Sequence, residues 1–316
     1  MPKLLTIQEA LAYFTKQLQK CDPRPPSSQM EARMIIQNAL SITKEDIFKR
    51  SNELISQSAL NKISHDIEKR KKLIPISYII GEKEFYSLNF IVSKDTLIPR
   101  QDSEVLVSEV IKDYSNDENN KLSLGQEKKI LDLGTGSGCL LIAILKNLKP
   151  QTYKGVAADI SKKTLEIAKL NSINHNLENK IEFIQSNWFE KIPTQQFDII
   201  ISNPPYISQN ETSYTSPELK YEPQNALFAS ENGLEHYIKI AKSCRNYCHQ
   251  TTKIYIEIGF MQDIQVSNIF ALERFKLLKV CKDIQKHPRI LVFQAPQTNY
   301  IHDKDRIDSG SVMSSG

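Results

Sequence analysis

The sequence has no apolar run approaching the roughly 20 residues that a membrane-spanning helix requires. Its opening, Met1-Pro2-Lys3-Leu4-Leu5-Thr6, lacks the long apolar region of a secretory leader. Only five cysteines occur, at 21, 139, 244, 248 and 281. Cys244 and Cys248 have helical i,i+4 spacing, but no His or Cys cluster accompanies them, which argues against a structural zinc site. An odd number of thiols without a leader fits a reducing compartment. The expectations are no metal, no membrane partner and a cytoplasmic location. Charge of one sign is also scarce: 41 basic residues face 37 acidic ones, for a net +4. Up to Pro75 there are 13 basic against 8 acidic residues, so the excess lies in the first quarter. A mild positive face there suits nucleic acid or an acidic protein surface. Lys69-Arg70-Lys71-Lys72 reads equally well as a solvated helix face. What remains is a 316-residue chain, 40% hydrophobic and 25% charged, with the composition of one large or two ordinary globular domains.

The chain is organised around Phe197-Asp198-Ile199-Ile200-Ile201-Ser202-Asn203-Pro204-Pro205-Tyr206. Its apolar run reads as a buried central strand. Two prolines, each lacking an N–H, must stop it at Asn203. Open α/β sheets bind ligands at that carboxyl edge. An amide held there by a rigid diproline, with an aromatic ring nearby, is suited to gripping a planar group that carries an NH2.

A second strand, Lys129-Ile130-Leu131-Asp132-Leu133, runs into Gly134-Thr135-Gly136-Ser137-Gly138 and then a helix over Cys139–Leu148. Glycines there allow a tight turn and let a ligand lie against bare backbone at the helix start. The following strand, Gly155–Asp159, ends in an acid 25 positions past Gly134, where a carboxylate can accept two ribose hydroxyls. The absence of Gly-Lys-Ser/Thr excludes a Walker loop, and the glycine spacing is tighter than the dinucleotide fingerprint. Asp132 repels a pyrophosphate but attracts a sulfonium or amino group. These features favour S-adenosylmethionine over a dinucleotide. Asn187 and Trp188, after the strand Ile181–Gln185, are candidates to flank the adenine. Trp188 as a plain core aromatic is the competing reading.

Elsewhere, Thr6 and Glu9 form a capping box before a helix buried through Ile7, Ala10, Leu11, Phe14 and Leu18. Ser28 with Glu31 is expected to open a second helix. Shorter ones follow around Lys44–Arg50 and Ala59–Lys72. Tyr78–Tyr86 and Leu88–Val92 read as two strands of a hairpin. Asp102 or Ser103 is expected to cap a helix over Glu104–Tyr114. Asn116–Lys129 reads as a polar surface loop, and Ile207–Glu231 as a long loop of functional type. Helix Leu234–Cys248, strand Ile254–Ile258, helix Asp263–Leu272 and an antiparallel pair, Lys276–Lys282 with Ile290–Ala295, complete the pattern. The tail beyond Pro296 is polar and is expected to be disordered. The predicted divisions are a helical domain over 1–75, a hairpin connector over 76–100, a transferase domain over 101–296 and the tail over 297–316.

From about Leu4 to Ala295 the chain resembles the HemK/PrmC family, protein methyltransferases acting on a glutamine N5 of peptide chain release factors. The resemblance rests on Pro75-Ile76-Ser77-Tyr78-Ile79-Ile80-Gly81-Glu82-Lys83-Glu84-Phe85-Tyr86, Leu97-Ile98-Pro99-Arg100 and Asn203-Pro204-Pro205-Tyr206-Ile207, in that order and spacing. It implies a helical amino-terminal domain joined by a hairpin to a class I methyltransferase domain, whose seven-stranded, mostly parallel sheet has an antiparallel last strand. It further implies that Gly134, Thr135, Gly136, Ser137 and Gly138 line the methionine part of the donor. Asp159 takes the ribose and Trp188 lies near the adenine. Asn203, Pro204, Pro205 and Tyr206 receive the target glutamine. The chain departs from the family at Gln101, usually Pro, at Asn187, usually Asp, and at Ile258, often His. A monomer acting on release factors, without a stable nucleic-acid complex, is the expectation. Two other readings stay open on sequence: an exocyclic-amine methyltransferase of nucleic acid, and a silent donor-binding scaffold.

Overall fold

The computed structural model describes residues 4–23, 25, 27–115, 127–148, 153–208, 210 and 216–296. The expected disordered tail, and all of the expected 116–129 loop except its last residues, lie outside them. Lys128 and Lys129 belong to a strand instead.

Helix α1 (Ile7–Gln19) starts at the expected capping box: the Thr6 hydroxyl accepts from the Glu9 amide at 3.2 Å, and the Glu9 carboxylate accepts from the Thr6 amide at 2.8 Å. Helix α2 (Ser28–Leu40) is capped at Ser27 without a side-chain bond, so Ser28 and Glu31 do not form the expected start signal. Glu31 instead turns inward to Arg70, at 2.7 and 3.1 Å. Helices α3 (Lys44–Lys49) and α4 (Gln57–Lys71) complete a small bundle, and α3 carries a second capping box, Thr43/Asp46. Ile7, Phe14, Leu18, Ile35, Ile36, Ile63 and Ile67 fill its core.

Tyr78–Ile80, expected to open the first hairpin strand, belong instead to the short helix α5 (Ile76–Ile80). A brief apolar run does not distinguish helix from strand. Pro75 pre-sets the entry, and Gly81 closes it at φ +90°, a C-cap conformation that favours glycine. The hairpin is real but shorter: β1 (Glu82–Phe85) pairs antiparallel with β2 (Leu88–Ile91). Helix α6 (Glu104–Ser115) follows a 3₁₀ turn over Gln101–Ser103. Asp102 and Ser103 lie inside that turn and do not cap α6.

The remaining elements are β3 (Lys128–Leu133), α7 (Cys139–Asn147), β4 (Tyr153–Asp159), α8 (Lys162–Asn174), β5 (Ile181–Gln185), β6 (Phe197–Ser202), β7 (Ile207–Ser208), β8 (Phe228–Ala229), α9 (Ser230–Gly233), α10 (Glu235–Cys244), β9 (Cys248–Glu257), α11 (Asp263–Leu272), β10 (Lys276–Lys282) and β11 (Pro288–Gln294). Seven of the strands form one sheet in the order β10-β11-β9-β6-β3-β4-β5. β9, β6, β3, β4 and β5 run parallel, while β11 is antiparallel to both of its neighbours. This is the expected class I methyltransferase sheet. Its central strands are buried on both faces: Ile199 and Ile201 meet one apolar layer, Ile200 and Phe197 the other.

The helix expected to run to Cys248 stops at Cys244, and the strand expected from Ile254 already begins at Cys248. The extension is held by Thr252, whose hydroxyl bonds the Phe197 carbonyl and accepts from the His249 amide at 2.9 Å. Cys244 and Cys248 therefore do not share one helix face. Among the described residues no helix is long and apolar enough to cross a membrane, and no cluster could hold a metal ion.

Candidate active site

The carboxyl ends of β3, β4, β5 and β6 open on a cavity of about 450 Å³. Its walls include Gly134–Ser137, Asp159–Ser161, Ser186–Trp188, Asn203 and Pro205. Lys94, Asp95, Leu97, Pro99 and Arg100 of the connector, with Ser103, also line it, as do Pro223, Asn225, Ala226 and His236. Gly136 sits at φ +57°, and a Cβ there would meet nothing within 4 Å, so bare backbone faces open space.

Of the expected donor-binding residues, Gly134, Thr135, Gly136, Ser137, Asp159, Asn187, Trp188 and Asn203 reach this cavity. Asp132 and Gly138 do not. Gly138 packs instead on Ile142 and Ala168, where a Cβ would come within 3.1 Å of Ile142. Asp132 is fully buried behind Thr135, whose hydroxyl donates to its Oδ2 at 2.7 Å. Its Oδ1 has no hydrogen-bond partner. Burial pushes this carboxyl up to about 7, with Asp159 adding repulsion and the Thr135 bond opposing the shift. Asp159 accepts the Gly136 amide at 3.1 Å and the Ser161 amide at 2.9 Å, and burial raises its pKa as well. Each of its oxygens keeps a lone pair for a ligand hydroxyl. Asn187 donates to Glu190 at 2.6 Å. Trp188 lies partly against the core, yet its ring also faces His236 across 5.2 Å on the cavity wall.

β6 ends at Ser202, whose hydroxyl donates to the Leu133 carbonyl at 2.8 Å and locks the two central strands together. Asn203 follows immediately. Its Nδ2 donates to the Ser103 hydroxyl at 3.1 Å. A smaller cavity of about 140 Å³ adjoins the first, lined by Pro204, Pro205, Tyr206 and Leu219 among others. Asn203, Pro205, Leu97, Arg100 and Ala226 border both spaces. Asn203 thus stands where the two cavities meet.

The Asn-Pro-Pro-Tyr segment is held from behind. Gln262 donates to the Tyr206 carbonyl at 3.1 Å and accepts from Gly259 at 3.0 Å. Gly233, at φ +86°, approaches the same carbonyl so closely that a Cβ would lie 2.3 Å from it. Gly233→Ala is expected to cost about 2–4 kcal/mol through left-handed strain and overpacking. A urea titration checks this, with unchanged stability as the contrary result. The connector is pinned by Glu222, a buried carboxylate that accepts from the Ile98 amide at 3.1 Å and Arg100 at 2.7 Å.

Ser103, Glu222 and His236 escaped the sequence reading. Ser103 looked like a helix cap. Glu222 stood beside Pro223 in a loop without periodicity. His236 lies on a helix whose amphipathic pattern explains it without any ligand.

Residues 9–81 match the family model described as the PrmC N-terminal domain, and residues 103–220 match the methyltransferase small domain. A bifunctional methyltransferase of Rickettsia prowazekii is 40% identical over 90% of this chain, which spans only 57% of that longer relative. The release factor glutamine methyltransferase of Agrobacterium fabrum is 35% identical over 92% of this chain and 97% of its own length. That of Francisella tularensis is 34% identical over 90% and 96%. Matched over nine-tenths of its length by such relatives, with Asn-Pro-Pro-Tyr at the carboxyl edge of its sheet, the chain belongs to the HemK/PrmC methyltransferase family.

Proposed function

We propose that this chain transfers a methyl group from S-adenosylmethionine to the side-chain amide nitrogen, N5, of a glutamine in a peptide chain release factor. The observation that carries this reading is the state of Asn203. Its NH2 is committed to Ser103, and its Oδ1 makes no hydrogen bond among the described residues at the junction of the two cavities.

The larger cavity suits the donor chemically. An orphaned carboxylate oxygen on Asp132 behind Thr135 complements a cation, and Asp159 has lone pairs left for a ribose. Gly134, Thr135, Gly136 and Ser137 would hold the methionine part, and Asn187 and Trp188 the base. When bound, S-adenosylmethionine would supply a methyl group on a positively charged sulfur; transfer would leave S-adenosylhomocysteine, and the nitrogen's surplus proton would pass to water.

The smaller cavity would take the glutamine side chain between Pro204, Pro205 and Tyr206. A carboxamide nitrogen is a poor nucleophile because its lone pair is delocalised into the carbonyl. Asn203 Oδ1 and the Pro204 carbonyl, accepting its two N–H bonds, raise electron density on nitrogen and fix its direction. The same two acceptors discriminate against glutamate, whose carboxylate brings only lone pairs; such mismatches reach about 10⁴-fold. Residues 1–75 would present the release factor, 76–100 couple the two domains, and 101–296 perform the transfer.

Incubating the protein and donor with a release factor, followed by mass spectrometry, is expected to show one methyl group on one glutamine. Label appearing on DNA or RNA, with the release factor unmodified, would overturn the assignment.

A further inference from the structure

Asn187 and Glu190 share a turn in which one bond decides which end of an amide the larger cavity meets. After β5 the chain bends at once. The Glu190 amide donates to the Asn187 carbonyl at 3.2 Å, and the Lys191 amide to the Ser186 hydroxyl at 2.9 Å. Tyr247 anchors the turn from below, its hydroxyl reaching the carbonyls of Phe189 and Ile192 at 3.2 and 3.1 Å. Trp188, inside the turn, sits at φ +50°, a left-handed conformation unfavourable for a bulky side chain. Such strain persists only where surrounding bonds over-determine the backbone, and it gathers at ligand sites. The Glu190 carboxylate is therefore delivered from a fixed turn, and it accepts from Asn187 Nδ2 at 2.6 Å.

An asparagine amide is nearly symmetrical in shape, and its two orientations differ only in which atom faces which neighbour. A carboxylate removes that freedom, because it accepts and has no proton to give. Glu190 must be met by the NH2 of Asn187. What Asn187 has left for a ligand is Oδ1, which makes no hydrogen bond among the described residues. The residue lines the larger cavity beside Trp188. An acceptor there suits a 6-aminopurine, which brings an NH2 group, and opposes a 6-oxopurine, which brings a carbonyl oxygen. We propose that Glu190, acting through Asn187, makes the site selective for the 6-amino base of the donor over its 6-oxo counterpart. Asn187 touches the base, and Glu190 is a positioning residue. The inference rests on the donor placement proposed above, with the base at Asn187 and Trp188, and not on what receives the methyl group.

The size of the effect follows from the two orientations. Without Glu190 both are open, and a ligand selects the one it needs. An adenine ligand then loses only about twofold, since about half of the free amides already face it correctly. A 6-oxopurine gains more. In the wild type it can use the Asn187 NH2 only by breaking the bond to Glu190 and turning Oδ1 against a carboxylate, acceptor against acceptor. Glu190 is exposed, so water softens that penalty, and relief of it is expected to be about tenfold in affinity.

Calorimetric titration of the full chain with S-adenosylhomocysteine and with S-inosylhomocysteine, its 6-oxo counterpart, tests this without any methyl acceptor. Wild type is expected to prefer the adenine ligand. Glu190→Ala should bind the inosine ligand about tenfold more tightly than wild type does, while losing about twofold for the adenine one. Glu190→Gln keeps a bond to Asn187 but can donate as well as accept, so it should relax the preference as Glu190→Ala does. In Asn187→Asp, where both oxygens only accept, a further Glu190→Ala should leave the preference for adenine intact. A merely structural role for Glu190 would weaken both ligands together. That outcome, or an unchanged ratio between the two ligands in Glu190→Ala, overturns the inference. Wild-type protein that binds neither ligand removes the donor placement and the inference with it. Selectivity that shifts as described, in a protein that leaves release factor unmethylated, sinks the glutamine reading alone.

Discussion

Asn203→Ala is expected to leave donor binding within a few-fold of wild type while lowering turnover on release factor by more than about 100-fold. The split follows from geometry. Asn203 is one of many residues lining the larger cavity, alongside the glycine turn, Asp159 and Trp188, and it also lines the smaller one. On the proposed reading, loss of the side chain would remove one of two acceptors for the target N–H groups and leave the Pro204 carbonyl alone. Asn203→Asp restores an acceptor but adds a charge and removes the donor to Ser103, so it should not recover activity. Donor titration by calorimetry and initial rates on the same preparation separate the effects. Near-normal turnover in the alanine variant would remove Asn203 from the reaction.

Arg70→Met is expected to destabilise the protein by about 3–5 kcal/mol, the cost of leaving a buried charge unpaired. Arg70 is 1% exposed and meets Glu31 through two bonds, at 2.7 and 3.1 Å. A third bond, at 2.6 Å, reaches Glu218 on the 3₁₀ turn Pro217–Tyr221 of the transferase portion. Removing the guanidinium strands the Glu31 carboxylate inside the bundle. The double variant Arg70→Met/Glu31→Met should recover most of the loss, because an apolar pair of similar volume is often as stable as the ion pair it replaces. Urea midpoints for the single and double variants test this. Equal midpoints for the two would contradict the burial argument. The bonds also tether the segment after Asn-Pro-Pro-Tyr to the helical domain, so the single variant should raise KM for release factor beyond its effect on stability.

The transferase sheet was legible because its strands announce themselves. Phe197–Ser202 carries an apolar Ile199–Ile201 run and is stopped by prolines, and β5, β10 and α11 have their expected limits. Local periodicity failed where a partner distant in sequence decides. Ile76–Ile80 became a helix because Pro75 and Gly81 bracket it. Glu31, three residues past Ser28, resembled half of a capping box, but a buried arginine 39 residues away claimed it. Ser103 was misassigned for the same reason: its partner, Asn203, is 100 positions off. The glycine turn identified the cavity, but not that Asp132 and Gly138 stand behind its wall. Both occupy the right stretch of chain, and neither side-chain direction nor depth is encoded in spacing.

The last strand of the large sheet is not at its edge. β11 is inserted between β9 and β10, so β10, although made earlier, has no place to pair until the residues after it arrive. A chain still emerging from the ribosome, complete through Lys282 but no further, holds β9 as an open border with unpaired amides. Closure of the sheet on that side waits for Pro288–Gln294. Completion of this side of the sheet thus waits for its last strand, and a chain made only that far is an exposed template for strand addition.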